Sequence, residues 1–145
     1  MAIEIGVTGI PPKKRTDISL WANETEVPRV IALRRAARAA FGDRKPFTSR
    51  IRLHIAIFLT ADDFTSEQVG DLDNFVSGVC DALQKANTRP ENLHQSFILP
   101  ENNDVYPTNE IALSNDLAVV SIVADRFQAS LGQESHYSVV IDGDQ

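Results

Sequence analysis

Two aspartates stand two residues apart at the start of an apolar helix pattern. The stretch GDLDNFVSGVCDALQKAN, residues 70–87, opens with Asp71 and Asp73, and Asn74 follows directly. Carboxylates in that place can cap the helix, whose first backbone N–H groups lack partners and whose dipole favours negative charge. They can equally hold a divalent cation, since hard oxygen donors completed by water suit Mg2+. Residues two apart on a helix do not share a face. The pair therefore converges on one ion only if Asp71 lies on extended chain and the helix begins at or after Asp73. A cap explains one aspartate, and the other asks for a further role. Asp116 adds a third carboxylate, just before the apolar run LAVVSIVA at residues 117–124. A strand start beside a helix start can gather Asp71, Asp73 and Asp116. Two Mg2+ ions ~3.5–4 Å apart in such a set would stabilise the attacking and leaving oxygens of phosphodiester hydrolysis.

A phosphate substrate asks for cations elsewhere, and the charge is divided accordingly. Residues 1–52 hold 11 of the 14 Lys and Arg against 5 acids, a balance of +6. Residues 53–145 hold 3 basic residues against 15 acids, a balance of −12. One half is a candidate polyanion surface, and the other repels a polyanion unless cations intervene. Lys13, Lys14 and Arg15 follow two prolines on what reads as an exposed loop. In VPRVIALRRAARAAF the apolar residues Val27, Val30, Ile31, Leu33, Ala37 and Phe41 form one side, leaving Arg34, Arg35 and Arg38 for the other. That stripe is either a set of guanidinium contacts for phosphates or a solvated helix face.

The elements that must position these groups follow from periodicity. Residues 3–8 alternate and predict a strand, ended by Gly9-Ile10-Pro11-Pro12. Thr25 or Asn23 is the expected cap of the arginine helix, with Pro28 in its first turn and Gly42 as its stop. Residues 50–60 predict a long strand on which His54 points to one face. Residues 60–70 read as a polar connector. Leu72, Phe75, Val76, Val79, Ala82 and Leu83 recur every three or four residues, which predicts a helix. Residues 86–114, with three prolines and five asparagines, lack periodicity and read as a functional or mobile insertion. Residues 117–124 and 136–142 predict two strands joined as a hairpin. The sum is one α+β domain over residues 1–145, a mixed sheet of about four strands with two packed helices.

Other chemistry finds little support. The single cysteine, Cys80, allows no internal disulfide and has no cation beside it in sequence. His94 has no companion at metal-ligand spacing, and no phosphate-loop, dinucleotide or zinc pattern occurs. The first ten residues lack a secretory pattern, and the longest clean apolar run, residues 55–59, is far too short for a bilayer. A cytoplasmic protein without membrane contact is expected.

DLDNFVSGVCDAL, residues 71–83, resembles the D-x-D-N…DAL signature of the RusA-type Holliday-junction resolvases. NDLAVVSIVADR, residues 115–126, is similar to that family's D-D-x-x-V-V strand, and IEIGVTGIPPKKR to its opening strand and Pro-Pro loop. The likeness covers most of the chain except residues 86–114. It implies a homodimeric, Mg2+-dependent endonuclease, with Mn2+ as a substitute ion, nicking branched DNA such as Holliday junctions. Asp71, Asp73 and Asp116 then fall at the metal-ligand positions, with Asn74 and Asp81 supporting them. The basic loop and helix, Lys13, Lys14, Arg15, Arg34, Arg35 and Arg38, would hold DNA. Ser77 stands where the family places a lysine, and Asn115 where a second aspartate is common. These departures leave an alternative, a non-cutting relative that binds DNA or protein. An acidic protein-binding module, with residues 86–114 ordering on a basic partner, is a third reading.

Overall fold

A computed structural model describes residues 1–145. The chain forms β1 (Ala2–Thr8), α1 (Val27–Phe41), β2 (Ser49–Leu59), α2 (Ala61–Thr65), α3 (Leu72–Leu83), β3 (Val119–Gln128) and β4 (His136–Asp144). The four strands make one mixed sheet in the order β1-β4-β2-β3. β4 pairs antiparallel with both β1 and β2, and β2 pairs parallel with β3. The α+β class and four-stranded sheet expected from the sequence are present, with the short α2 added to the two main helices.

The central strand sets the layers. In β2, Ile51, Leu53, Ile55, Ile57 and Leu59 are buried while Arg52 and His54 are exposed. The same alternation buries Ile3 and Ile5 of β1 and Tyr137, Val139 and Ile141 of β4. α1 and α3 cover this apolar face, and the opposite face stays open. On the open face Phe58 stacks between Phe127 and His136, at centroid distances of 5.2 and 4.9 Å.

The hairpin expected between the last two strands is absent. β2 lies between β3 and β4, so the chain leaves β3 and returns on the far side of β2. The reason lies upstream: α2 and α3 form a crossover long enough to bring β3 in parallel to β2. At the far end the Ala129 N–H donates to Leu59 O at 2.6 Å, and Ser135 Oγ accepts from Thr60 N at 2.9 Å, tying the turn to β2.

Local rules explain the helix ends. Asn23 Oδ1 accepts from Thr25 N and Glu26 N at 2.9 and 3.1 Å, forming a turn one step before α1, whose N-cap residue is Glu26. Neither Asn23 nor Thr25 is therefore the cap itself. Gly42 ends the helix at φ 57°, a left-handed angle that suits glycine. Within the stretch expected to be a plain connector, Thr60 caps α2 by accepting from Asp63 N at 3.2 Å.

Residues 86–114 are not a free insertion. They fold into short 3-10 turns at Pro90–Asn92, Gln95–Ile98 and Pro100–Val105. Phe97, Val105, Ile111, Ala112 and Leu113 from this segment are fully buried in the core. His94 caps the second turn through Nδ1, accepting from Ser96 N, and its Nε2 meets Glu24 Oε1 at 2.9 Å.

Arg34 holds this segment in place, which corrects its assignment to the DNA surface. Its side chain is wholly buried. Nε donates to Val105 O, Nη1 to Ala82 O and Gln84 O, and Nη2 to Tyr106 O and Asn109 O, all at 2.8–2.9 Å. The guanidinium also lies 5.2 Å from the Trp21 ring centre. The spacing Val27, Val30, Arg34, Ala37, Phe41 alternates steps of three and four, so Arg34 belongs to the buried stripe. No helix is long and apolar enough to cross a membrane.

Candidate active site

Asp71 is the N-cap residue of α3, on extended backbone at φ −91° and ψ 158°, and its carboxylate makes no capping bond. The helix begins at Leu72, so Asp73 sits in its first turn. The capping explanation therefore accounts for neither side chain. Asp73, Ser77 and Asp81 follow at steps of four and share one helix face. Asp116 opens the 3-10 turn Asp116–Ala118, which Asn115 caps by accepting from Leu117 N at 2.8 Å. Asn115, at a position where the resemblance leads one to expect an acid, is thus a turn cap.

The structure gathers the acids differently from the sequence expectation. Asp81 and Asp116 line one cavity of about 300 Å3, with Lys14, Ser77, Cys80 and Ile122 among its other walls. Asp73 lies in an adjoining groove that shares Val76, Ser77 and Ile122 with that cavity. Asp71 lines neither. No three His, Cys, Asp or Glu side chains form a ready metal cage. None of the four aspartates takes part in an ion pair or accepts a side-chain hydrogen bond.

Burial raises the Asp81 pKa above the ordinary carboxylate value, Lys14 works against that shift, and Asp116 adds to it. The Cys80 thiol is pushed up to about 11 by burial, with Asp81 and Asp116 adding to the shift. It is no nucleophile. For Asp81 the sign is plain. Its folded pKa lies above its unfolded one, so the folded chain keeps the proton longer and stability falls as pH rises above the ordinary carboxylate range. Asp81→Asn is expected to raise Tm at pH 7.5 and to change it little near pH 4, as thermal denaturation would measure.

Lys14 reaches the site because the Pro-Pro loop is laid across α3. Its backbone N–H donates to Asn74 O at 3.0 Å. Asn74 thus acts through its main chain, and its side chain makes no bond. The crossing is at Gly78, where an added Cβ would fall 2.2 Å from Pro12 O. Gly78, unmarked by any sequence motif, fixes how near the loop comes. Gly78→Ala is expected to lower stability by at least ~1–3 kcal/mol in urea denaturation, through overpacking against backbone that cannot rotate away.

The other predicted phosphate contacts are largely engaged inside the molecule. Lys13 Nζ donates to Gln68 O at 2.7 Å, and Arg15 Nε to the buried Glu26 carboxylate at 3.0 Å. Arg35 donates to Glu101 O and to Asn102 Oδ1. With Arg34 buried, only Lys14 and Arg38 of the six are exposed and unpaired.

No protein-family model, curated protein or solved structure matches the chain. The site therefore speaks through its own donors. Mg2+ keeps several waters and is commonly held by one or two carboxylates. Asp81 and Asp116 in one cavity fit that donor chemistry. Arg126 steadies the approach to α3, its Nη1 donating to Gly70 O at 3.1 Å and its Nη2 to Phe64 O at 3.2 Å. Sequence reasoning missed this role, which links β3 to the start of the acidic helix.

Proposed function

We propose that this chain is a Mg2+-dependent endonuclease of the RusA type that nicks branched DNA such as Holliday junctions, working as a homodimer. The observation that carries the reading is Asp81, a half-buried carboxylate facing Asp116 with no bonded partner. Clustered, partly buried like charges weaken a fold, and such arrangements concentrate at functional sites. A bound cation would remove the repulsion.

Asp116 and Asp81 would hold the ion, whereas Asp73, ~12 Å from Asp81 along α3 and in the neighbouring groove, is too far to share it. The resemblance assigns Asp71 and Asp73 to the ligand set, and the geometry favours Asp81 in their place. Held there, Mg2+ or Mn2+ would activate a water for attack on the phosphorus and take up charge on the leaving 3′ oxygen. Lys14 stands beside the acids as the cation for a phosphate oxygen. It does from the loop what a lysine at position 77 would do from the helix.

A second reading is favoured by the engagement of Lys13, Arg15, Arg34 and Arg35 within the fold. With so few free cations, the chain would bind metal and DNA or a protein without cutting. The two readings part on a synthetic four-way junction incubated with Mg2+ or with chelator. Paired nicks that need the metal support the enzyme. No nicks on several branched substrates, with Mn2+ as well as Mg2+, overturn it.

A further inference from the structure

Ten large apolar side chains are exposed on the molecule, and six of them lie between residues 117 and 131: Leu117, Val120, Ile122, Val123, Phe127 and Leu131. Four of the six are on β3 itself. This strand closes one side of the sheet, so one row of its backbone N–H and C=O groups has no strand partner. The other edge, β1, has seven residues and no exposed large apolar side chain.

β3 is blunted only by a bulge at Val120, near its start, and by Arg126, which turns inward to the helix side, so its run from Ser121 to Ala124 stays open to pairing. The strand is ten residues long, contains no proline or lysine, and its single Asp125 is balanced by Arg126. In a chain of net charge −6 that segment is neutral, so a second copy meets little repulsion there. The exposed apolar groups also point both ways. Ile122 faces the helix side, where it lines the groove with Leu72 and Val76, whereas Val123 and Phe127 stand on the open face. A partner lying flat on one face would leave the other uncovered. Only a strand continuing the sheet covers both faces and the edge at once. Antiparallel pairing of two identical strands is closed by a twofold axis and stops at two copies.

We infer that the free edge of β3 is the interface with a second copy of this chain, joined by antiparallel β3–β3 pairing into one eight-stranded sheet. The inference gives a location to the dimer in the resolvase reading, yet it stands on the edge alone. Ile122 also lines the cavity of Asp81 and Asp116, so the partner strand would run beside both acidic sites.

Sedimentation of the full chain, without DNA or metal, tests this directly. The expected mass is twice 16.0 kDa. Val123→Lys and Phe127→Lys, each placing like charges at the joint, are expected to raise the dimer dissociation constant at least ~100-fold. Hydrogen exchange on the unmodified chain adds a readout independent of any variant, since β3 amides should gain protection as concentration rises. A monomer at ~100 µM, where any specific dimer of this kind should form, would overturn the proposal. So would a dimer that both folded variants retain, or one whose β3 protection does not change. A monomeric result would leave the acidic site untouched, because junction nicking is measured separately.

Discussion

Arg34→Met is expected to cost about 3–5 kcal/mol, a large share of the roughly 5–15 kcal/mol that holds a domain folded. Five donors of one guanidinium satisfy five main-chain carbonyls, from Ala82, Gln84, Val105, Tyr106 and Asn109. Methionine fills similar space but leaves those oxygens buried and unpaired, and each such loss carries a desolvation penalty. The charge itself is held against burial, which lowers the Arg34 pKa to about 10, so it stays ionised at neutral pH. Lysine has three donors and no planar fork, so Arg34→Lys should recover only part of the loss. Arg35→Ala, one residue along on the exposed face, should change stability by less than ~1 kcal/mol. Urea denaturation of the three variants decides the point. An Arg34→Met protein within 1 kcal/mol of the parent would mean the carbonyl cluster is not sealed.

Asp116→Asn is expected to reduce metal-dependent nicking at least ~100-fold while the fold stays intact. Its carboxylate is exposed and bonded to nothing in the protein, so the neutral amide disturbs no internal contact. What the amide removes is a negative hard-oxygen donor in the cavity shared with Asp81. The spatial arrangement also ranks the other acids. Asp81→Asn should impair nicking strongly and raise stability, whereas Asp71→Asn should have less than ~10-fold effect because Asp71 lies outside both grooves. The reverse ranking would restore the Asp71, Asp73 and Asp116 set that the resemblance implies. Single-turnover nicking rates at fixed Mg2+ give the comparison.

The sheet and its two main helices were legible because their signals are local. Alternation in residues 50–59 and three-four spacing in residues 72–83 each bury one face regardless of partners. The order of strands was not, because two adjacent β-branched runs look like a hairpin whether or not a third strand slides between them. Arg34 was misplaced for a related reason. A helix pattern shows which side is apolar, but a charged residue on that side is interpretable only when its carbonyl partners, 48 to 75 residues away, are known. The acids followed the same rule. Asp71 and Asp73 stand out by their spacing, yet it is Asp81, two turns further along α3, that the fold turns toward Asp116. Gly78 and Lys14 carry no motif at all. Their meaning comes from the Pro-Pro loop crossing the helix.

The most direct test of the central claim is titration of Mg2+, with Mn2+ beside it, into the unmodified chain and into Asp116→Asn, following heat and Tm together. A ligand that binds only the folded state adds about 2.7 kcal/mol at a hundred times its dissociation constant. Saturable binding and a Tm rise of several degrees are expected in the parent, both lost in Asp116→Asn. No heat and no change in Tm with either ion would mean these unpartnered aspartates are not a metal site.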